Sequence, residues 1–251
     1  MKVYDREFDV NFKSDSSPVT KADQHAEDII LDDLKLHIPN VPVVAEEAAS
    51  GGNIPDVGDR FFLVDPLDGT KEFIQKNDEF TVNIALIENG IPVFGIIYAP
   101  ALSVLYVTLS STQAIKANLG ISDTFHNIES LDLQEIHAAF PDVQGLNVIM
   151  SRSHMSDETT EYLKDIQIKS TLSAGSSLKF CKLAEGVADL YPRFAPTMEW
   201  DTAAGHAILL AAGGRVETPN GQPLGYGKSD KKFLNSEFIA FGLRHNTAGE
   251  L

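Results

Sequence analysis

The sequence predicts a layered α/β (α+β) sandwich, and three observations lead there. Its 251 residues, 43 % of them apolar, are enough for one full-sized core. Between residues 80 and 116, β-rich runs follow one another through turn signals, the mark of an antiparallel sheet. Beyond residue 146, strand-like and helix-like runs alternate. The chain therefore divides into an antiparallel half, residues 1–140, and a mixed α/β half, residues 141–251, of one compact unit.

The elements follow in order. Ala22, Ala26, Ile29, Ile30 and Leu34 recur at helical spacing over Lys21–His37, with Thr20 as N-cap and Pro39 marking the far end. Val41–Ala45 reads as a short strand that stops at Glu46-Glu47. The glycine-bearing stretches around Gly51-Gly52 and Gly58 read as flexible, and Phe61–Val64 as a strand. That strand ends where Asp65-Pro66-Leu67-Asp68-Gly69-Thr70 crowds turn formers together. Phe80–Ile87 and Ile91–Tyr98 pair through Asn89-Gly90, and Leu102–Thr108 and Gln113–Lys116 extend the meander. Ser122–Gly145 shows no period and reads as a connection between the halves. Val148–Met150 is a strand, Asp157–Ile166 and Ser176–Ala184 are helices, and Ala188–Tyr191 is a strand. Asp201–Ala212 is an apolar helix closed by Gly213-Gly214, and Phe238–Phe241 is a last strand.

Composition excludes some functions. With 36 acidic and 20 basic residues the net charge is −16, the wrong sign for holding a nucleic-acid polymer or an anionic membrane surface. The opening ten residues have no apolar signal core, and Val93–Leu109 is too short and too interrupted to span a bilayer. The lone Cys181 excludes an intramolecular disulfide and reads as a packing residue. The expectation is a soluble cytoplasmic protein.

Several carboxylates could carry chemistry. Asp65, Asp68 and the Leu67 carbonyl on one tight turn form an all-oxygen set suited to Mg²⁺, Mn²⁺ or Ca²⁺. The same string also makes an ordinary loop. Glu46 lies just past a strand end, where open sheets place ligands, or forms a solvated pair with Glu47. Asp201 is either a helix N-cap or a ligand, and the small Ala203, Ala204 and Gly205 leave the positive helix end open to an anion. Thr20-x-x-Asp23 has the form of a capping box.

Glu46-Glu47, the Asp65–Thr70 string and Trp200-Asp201-Thr202-Ala203-Ala204-Gly205, in that order, resemble the inositol monophosphatase superfamily of Mg²⁺-dependent, lithium-sensitive phosphatases. Ser17–Thr20, Lys71–Ile74, Glu79–Leu86, Ser151–His154, Gly175–Cys181 and Leu190–Phe194 look like its bacterial 3'(2'),5'-bisphosphate nucleotidase branch. The resemblance implies the superfamily's layered fold and at least two Mg²⁺ ions, flanking the scissile phosphate. Glu46, Asp65 and the Leu67 carbonyl would hold one ion; Asp65, Asp68 and Asp201 would hold the other. Gly69 and Thr70 would offer main-chain N–H groups to the phosphate. Thr70, oriented by Asp23, would act with Glu46 to deprotonate the attacking water. Around the substrate, besides Glu46, Leu67, Asp68, Gly69, Thr70 and Asp201, the resemblance places His154, Ser176, Ser177, Lys179 and Arg193. Read without it, Lys179 is a solvated helix residue, Arg193 a surface ion pair and His154 a strand end.

The implied reaction is removal of the 3'-phosphate of adenosine 3',5'-bisphosphate, and of its sulfated relative 3'-phosphoadenylyl sulfate, in sulfate assimilation. An inositol or sugar monophosphatase with the same metal core is the alternative, and a non-catalytic Mg²⁺ or nucleotide sensor a third reading. The implied enzyme is a monomer, cytoplasmic or peripheral on the cytoplasmic face of the inner membrane. Family members carry about one more helix ahead of the segment matching residues 1–5; either the start is assigned downstream of the true one or the chain is a shortened form.

Overall fold

A computed structural model describes residues 1, 4, 10–12, 18–124, 127–151 and 156–243 of the chain. Strand β1 (Val10–Phe12) pairs antiparallel with β2 (Pro18–Thr20), which leads into helix α1 (Lys21–His37). The Thr20 hydroxyl accepts from Ala22 N at 3.1 Å, and Asp23 closes the capping box. Of the expected apolar face of α1, Ala22, Ala26, Ile30 and Leu34 are half-buried but Ile29 is 53 % exposed, and the two fully buried residues are Asp23 and Glu27. The reason is that α1, besides covering β4, meets the first turn of α2, whose backbone donors need acceptors.

Strand β3 (Val43–Ala45) is followed directly by a short helix, α2 (Glu46–Ser50), where a loop was expected. Strand β4 (Arg60–Asp68) continues through the aspartates rather than stopping before them. Helix α3 (Thr70–Gln75) and strands β5 (Thr81–Glu88), β6 (Ile91–Ala99), β7 (Val104–Ser110) and β8 (Gln113–Asn118) follow. Asn89 and Gly90 take φ of 52° and 75°, the two positive values a tight hairpin turn of the I′ type requires. The aperiodic connection contributes one short strand, β9 (Gln134–Ile136).

The second half runs β10 (Leu146–Ser151), α4 (Asp157–Leu163), β11 (Ile168–Ala174), α5 (Leu178–Ala184), β12 (Leu190–Arg193), α6 (Glu199–Ala211), β13 (Arg215–Glu217) and β14 (Phe238–Phe241). Strands β11 and β13 lie at the two sheet edges and were not anticipated; β11 is polar and largely exposed, so it carries no apolar period.

The first sheet has the order β3-β4-β5-β6-β7-β8-β9 and is antiparallel except at β3–β4, whose register Val44↔Leu63 is parallel. The second has the order β11-β10-β12-β14-β13, parallel around β10 and antiparallel around β14. Helices α5 and α6 fill the space between the sheets, where Phe61, Ile97, Phe180, Trp200, Ile208 and Phe238 share one core. On the outer faces α1 covers β4, and α4 covers β10 through Val148, Leu163 and Leu190. The result is the expected layered sandwich. Among the described residues no helix is long and apolar enough to cross a membrane.

Candidate active site

The end of β4 is bulged. Asp65 lies opposite Asn83 and Asp68 opposite Thr81, so Pro66 and Leu67 together face Val82 alone. Proline, lacking an N–H, suits the break in the ladder. The two aspartates thus sit on a bulged strand end, not the tight turn expected, and the extra residue re-aims their side chains. Asp65 Oδ1 accepts from Leu67 N at 2.9 Å, and Asn83 Nδ2 donates to Asp68 Oδ2 at 3.4 Å. Gly69 then turns the chain into α3 with φ of 91°, and a Cβ there would lie 3.2 Å from the Glu79 carbonyl. Glycine is demanded twice, by conformation and by space.

Thr70 is the first residue of α3, and its hydroxyl is 3.2 Å from Asp23 Oδ1 and 3.4 Å from the Leu67 carbonyl. The other oxygen of Asp23 accepts from the Thr20 amide (2.8 Å) and hydroxyl (2.7 Å). Capping and the contact to Thr70 are therefore made by one carboxylate at the same time.

Asp201 is the third residue of α6, not its N-cap. Its Oδ2 accepts from Met198 N at 2.8 Å and from the Thr197 hydroxyl at 2.5 Å. The small residues behind it serve packing rather than an anion. Ala203 and Ala204 are buried, and a Cβ on Gly205 would meet Phe180 Cβ at 2.6 Å.

These elements bring Glu46, Asp65, Asp68 and Asp201 together. Burial first, then the charges of Glu46, Asp68 and Asp201, push the Asp65 carboxyl well above its usual range. Burial and Asp201 push Asp68 up to about 7, and burial raises Asp201. Among the described residues no three His, Cys, Asp or Glu side chains are already closed around a common point.

Opposite this acidic wall lies a cationic one. Lys179, on α5, is 5 % exposed, so it is not a solvated helix residue. Its ammonium donates to the Ser176 carbonyl and sits 5.5 Å from the Tyr191 ring centre. Burial draws it down to about 8, against the pull of Asp68. Arg193, at the end of β12, donates to the carbonyls of Ala195 (3.1 Å) and Pro196 (2.9 Å), and no ion pair to a carboxylate is seen among the described residues.

A cleft of about 540 Å³ separates the walls, and Glu46, Asp68, Gly69, Thr70, Ser176, Lys179, Arg193 and Asp201 all line it. Asp65 is buried beneath. Ser177 is buried too: its hydroxyl donates to Asn83 Oδ1 (2.8 Å) and meets that of Thr81 (2.8 Å), so it braces the wall rather than facing the cleft. Ser176, expected within the helix, precedes α5 with φ of 43°. His154 lies outside the described residues. Cys181 is fully buried and its thiol is pushed up by burial, as a packing residue should be.

Sequence reasoning passed over Asn83, which steadies Asp68, and Glu79, whose carboxylate accepts from Gly175 N at 2.7 Å and ties the second half to the first. Both lie in the Glu79–Leu86 segment, where the resemblance singled out no residue and the apolar alternation from Phe80 onward signals only a strand.

The geometry has relatives. The 3'(2'),5'-bisphosphate nucleotidase CysQ of Escherichia coli K12 is 46 % identical over 240 residues, 95 % of this chain and 92 % of the relative. That of Buchnera aphidicola is 42 % identical over 246 residues, 97 % and 88 % of the two chains. The crystal structure of CysQ from Bacteroides thetaiotaomicron, 42 % identical, superposes with a TM-score of 0.76 over 92 % of this chain and 87 % of that one. An inositol monophosphatase from Zymomonas mobilis, 26 % identical, gives 0.71 over 94 % and 84 %. The model of the inositol monophosphatase family matches residues 1–246, and the chain belongs to that family.

Proposed function

We propose that the protein is a Mg²⁺-dependent 3'(2'),5'-bisphosphate nucleotidase that hydrolyses the 3'-phosphate of adenosine 3',5'-bisphosphate to AMP and phosphate, and acts likewise on 3'-phosphoadenylyl sulfate. The observation that carries the reading is the Thr70–Asp23 hydrogen bond. It links residues 47 apart and sets a hydroxyl at the rim of the carboxylate cluster, inside a cleft that basic side chains, Lys179 and Arg193 among them, also line. The nucleotidase names of relatives 42–46 % identical to the chain support it from the other side.

The donor set fits a hard divalent cation. All its atoms are oxygens, and the carboxylates repel one another strongly enough to retain protons that a cation would displace. Glu46, Asp65 and the Leu67 carbonyl would hold one ion, and Asp65, Asp68 and Asp201 a second. Ions bound there would make a water more acidic and neutralise charge on the leaving oxygen.

The protein's own groups do the rest. Asp23 holds the Thr70 hydroxyl and would accept its proton, as that hydroxyl, together with Glu46, takes the proton of the attacking water. The N–H groups of Gly69 and Thr70, at the start of α3, receive phosphate oxygens. Lys179 and Arg193 face the cluster across the cleft and receive the second phosphate, a need that inositol monophosphates lack. Ser176 lines the same wall, Ser177 supports it from behind, and His154 is kept as a nucleotide contact on the resemblance alone. The reading also takes the enzyme to be a monomer of the cytoplasm whose membrane association, where it occurs, is peripheral.

Phosphate release from adenosine 3',5'-bisphosphate, inositol 1-phosphate and fructose 1,6-bisphosphate, with and without Mg²⁺ and Li⁺, tests the assignment. The bisphosphate nucleotide should be hydrolysed fastest, only with Mg²⁺, and with inhibition by Li⁺. Equal turnover of inositol 1-phosphate would return the assignment to the monophosphatase alternative.

A further inference from the structure

The buried face of α1 carries two carboxylates one helical turn apart, and only Asp23 has been given work so far. Glu27 is 6 % exposed and does not line the cleft. Its Oε2 accepts from Glu47 N and its Oε1 from Ala48 N, both at 2.8 Å, across 20 and 21 residues of sequence. Those two N–H groups belong to the first turn of α2, whose first residue is Glu46.

Helix α2 cannot fix itself. It has five residues, too few to repay the cost of nucleating a helix, and its N-cap, Ala45, offers no side-chain acceptor. Up to Ala45 the backbone is held by pairing with β4, and beyond it the Glu27 carboxylate holds the amides of the first turn of α2. Both oxygens are needed, since each N–H points at a different one.

We propose that Glu27 is a positioning residue for Glu46: by gripping the amides of residues 47 and 48 it sets where the Glu46 carboxylate enters the cluster. The proposal rests on the role given to Glu46 above. Helix α1 then acts as one rigid bar that places both members of the water-activating pair, Thr70 through Asp23 and Glu46 through α2. Such a device matters because ångström-scale misplacement of a reacting group costs orders of magnitude in rate.

The test uses Glu27→Gln, which keeps the shape but replaces one acceptor oxygen with an NH₂ that faces an N–H. Glu27→Asp is the second variant, keeping the charge but withdrawing it by one methylene. Each is made in the parent and in Glu46→Gln, and read by steady-state phosphate release and by amide hydrogen exchange. Glu27→Gln should lower kcat about tenfold, the worth of one charge-assisted hydrogen bond, and leave KM for the nucleotide unchanged. Exchange at the Glu47 and Ala48 amides should quicken while the amides of α6 stay protected. In the Glu46→Gln background, Glu27→Gln should cost less than about twofold more, because the residue it positions is already disabled. Losses that multiply in the double variant, or faster exchange with unchanged kcat, would overturn the proposal. A Glu46→Gln enzyme of full activity would instead remove the role of Glu46 on which it rests.

Discussion

Helices α1 and α6 begin with the same device and are held in opposite ways. Each puts an aspartate at its third position, with a carboxylate that accepts from the backbone N–H ahead of the helix: Asp23 from Thr20, Asp201 from Met198. There the likeness ends. Helix α6 buries eleven of its thirteen residues between the sheets, whereas α1 buries two of seventeen, and both of those are carboxylates. Asp201 is placed by the packing of everything behind it. At Asp23 the hydrogen bonds that hold the helix start are also the ones that orient Thr70, so stability and chemistry cannot be separated there.

The largest expected effect separates the two aspartates. Asp201→Asn should cut phosphate release by roughly a thousandfold, through loss of a charge at the metal cluster. Its folded-state carboxyl is raised by burial, so the charged form weakens folding as pH rises through that value. The metal-free Asn variant should therefore unfold no earlier than the parent at pH 8. Asp23→Asn should cost about a hundredfold in rate, and also about 1 kcal/mol of stability from the damaged cap. Thermal unfolding beside kinetics checks both. If Asp23→Asn kept full stability, the coupling of cap and catalysis at α1 would be wrong.

A smaller effect probes how α6 is held. Gly205→Ala puts a methyl 2.6 Å from Phe180 Cβ, inside van der Waals contact, where α5 crosses α6. A gain in helix propensity is outweighed by overpacking, and denaturant unfolding should show a loss of about 1–3 kcal/mol. His206, further along the same helix, adds a pH dependence. Burial holds its imidazole down to about 3, against 6.5 when exposed, with Nδ1 3.0 Å from the Tyr226 hydroxyl. The unfolded chain takes a proton below about pH 6.5 and the folded one does not, so acid favours unfolding. The contribution is complete above 6.5 and is lost as pH falls towards 3, at up to about 1.4 kcal/mol per pH unit. Between pH 6 and 4 the stability of His206→Gln should fall less steeply than that of the parent; parallel curves would discount the histidine.

The contrast also explains what the sequence could and could not reveal. Helix α6 was legible because its apolar run faces inward everywhere, and the Asn89-Gly90 hairpin because its turn residues allow little else. The four clustered carboxylates were legible through order and context, although their spacing suggested a turn where the chain makes a bulge. Strands β11 and β13 were missed because edge strands with polar or very short sequences have no period to detect. Glu27 was missed for a deeper reason. A glutamate inside a helix with polar neighbours looks solvated until α2, twenty residues on, is seen to deliver two amides to it. Lys179 misled in the same way, since only the fold shows that its side of α5 forms the wall of a cleft.

The smallest expected effect is also the sharpest statement about α1. Ile29 completes the helix's apolar stripe in sequence, and a helix held by that stripe should lose 1.5–3 kcal/mol, roughly a buried isoleucine's worth, in Ile29→Gln. In the structure Ile29 is 53 % exposed and α1 is gripped through Asp23 and Glu27. Ile29→Gln should therefore change stability by less than about 0.5 kcal/mol, and kcat not at all. Glutamine is as good a helix former as isoleucine or better, so propensity cannot hide a loss of packing. A drop of 2 kcal/mol would mean that another surface covers this side of α1 in solution, and that the helix is held on two faces as α6 is.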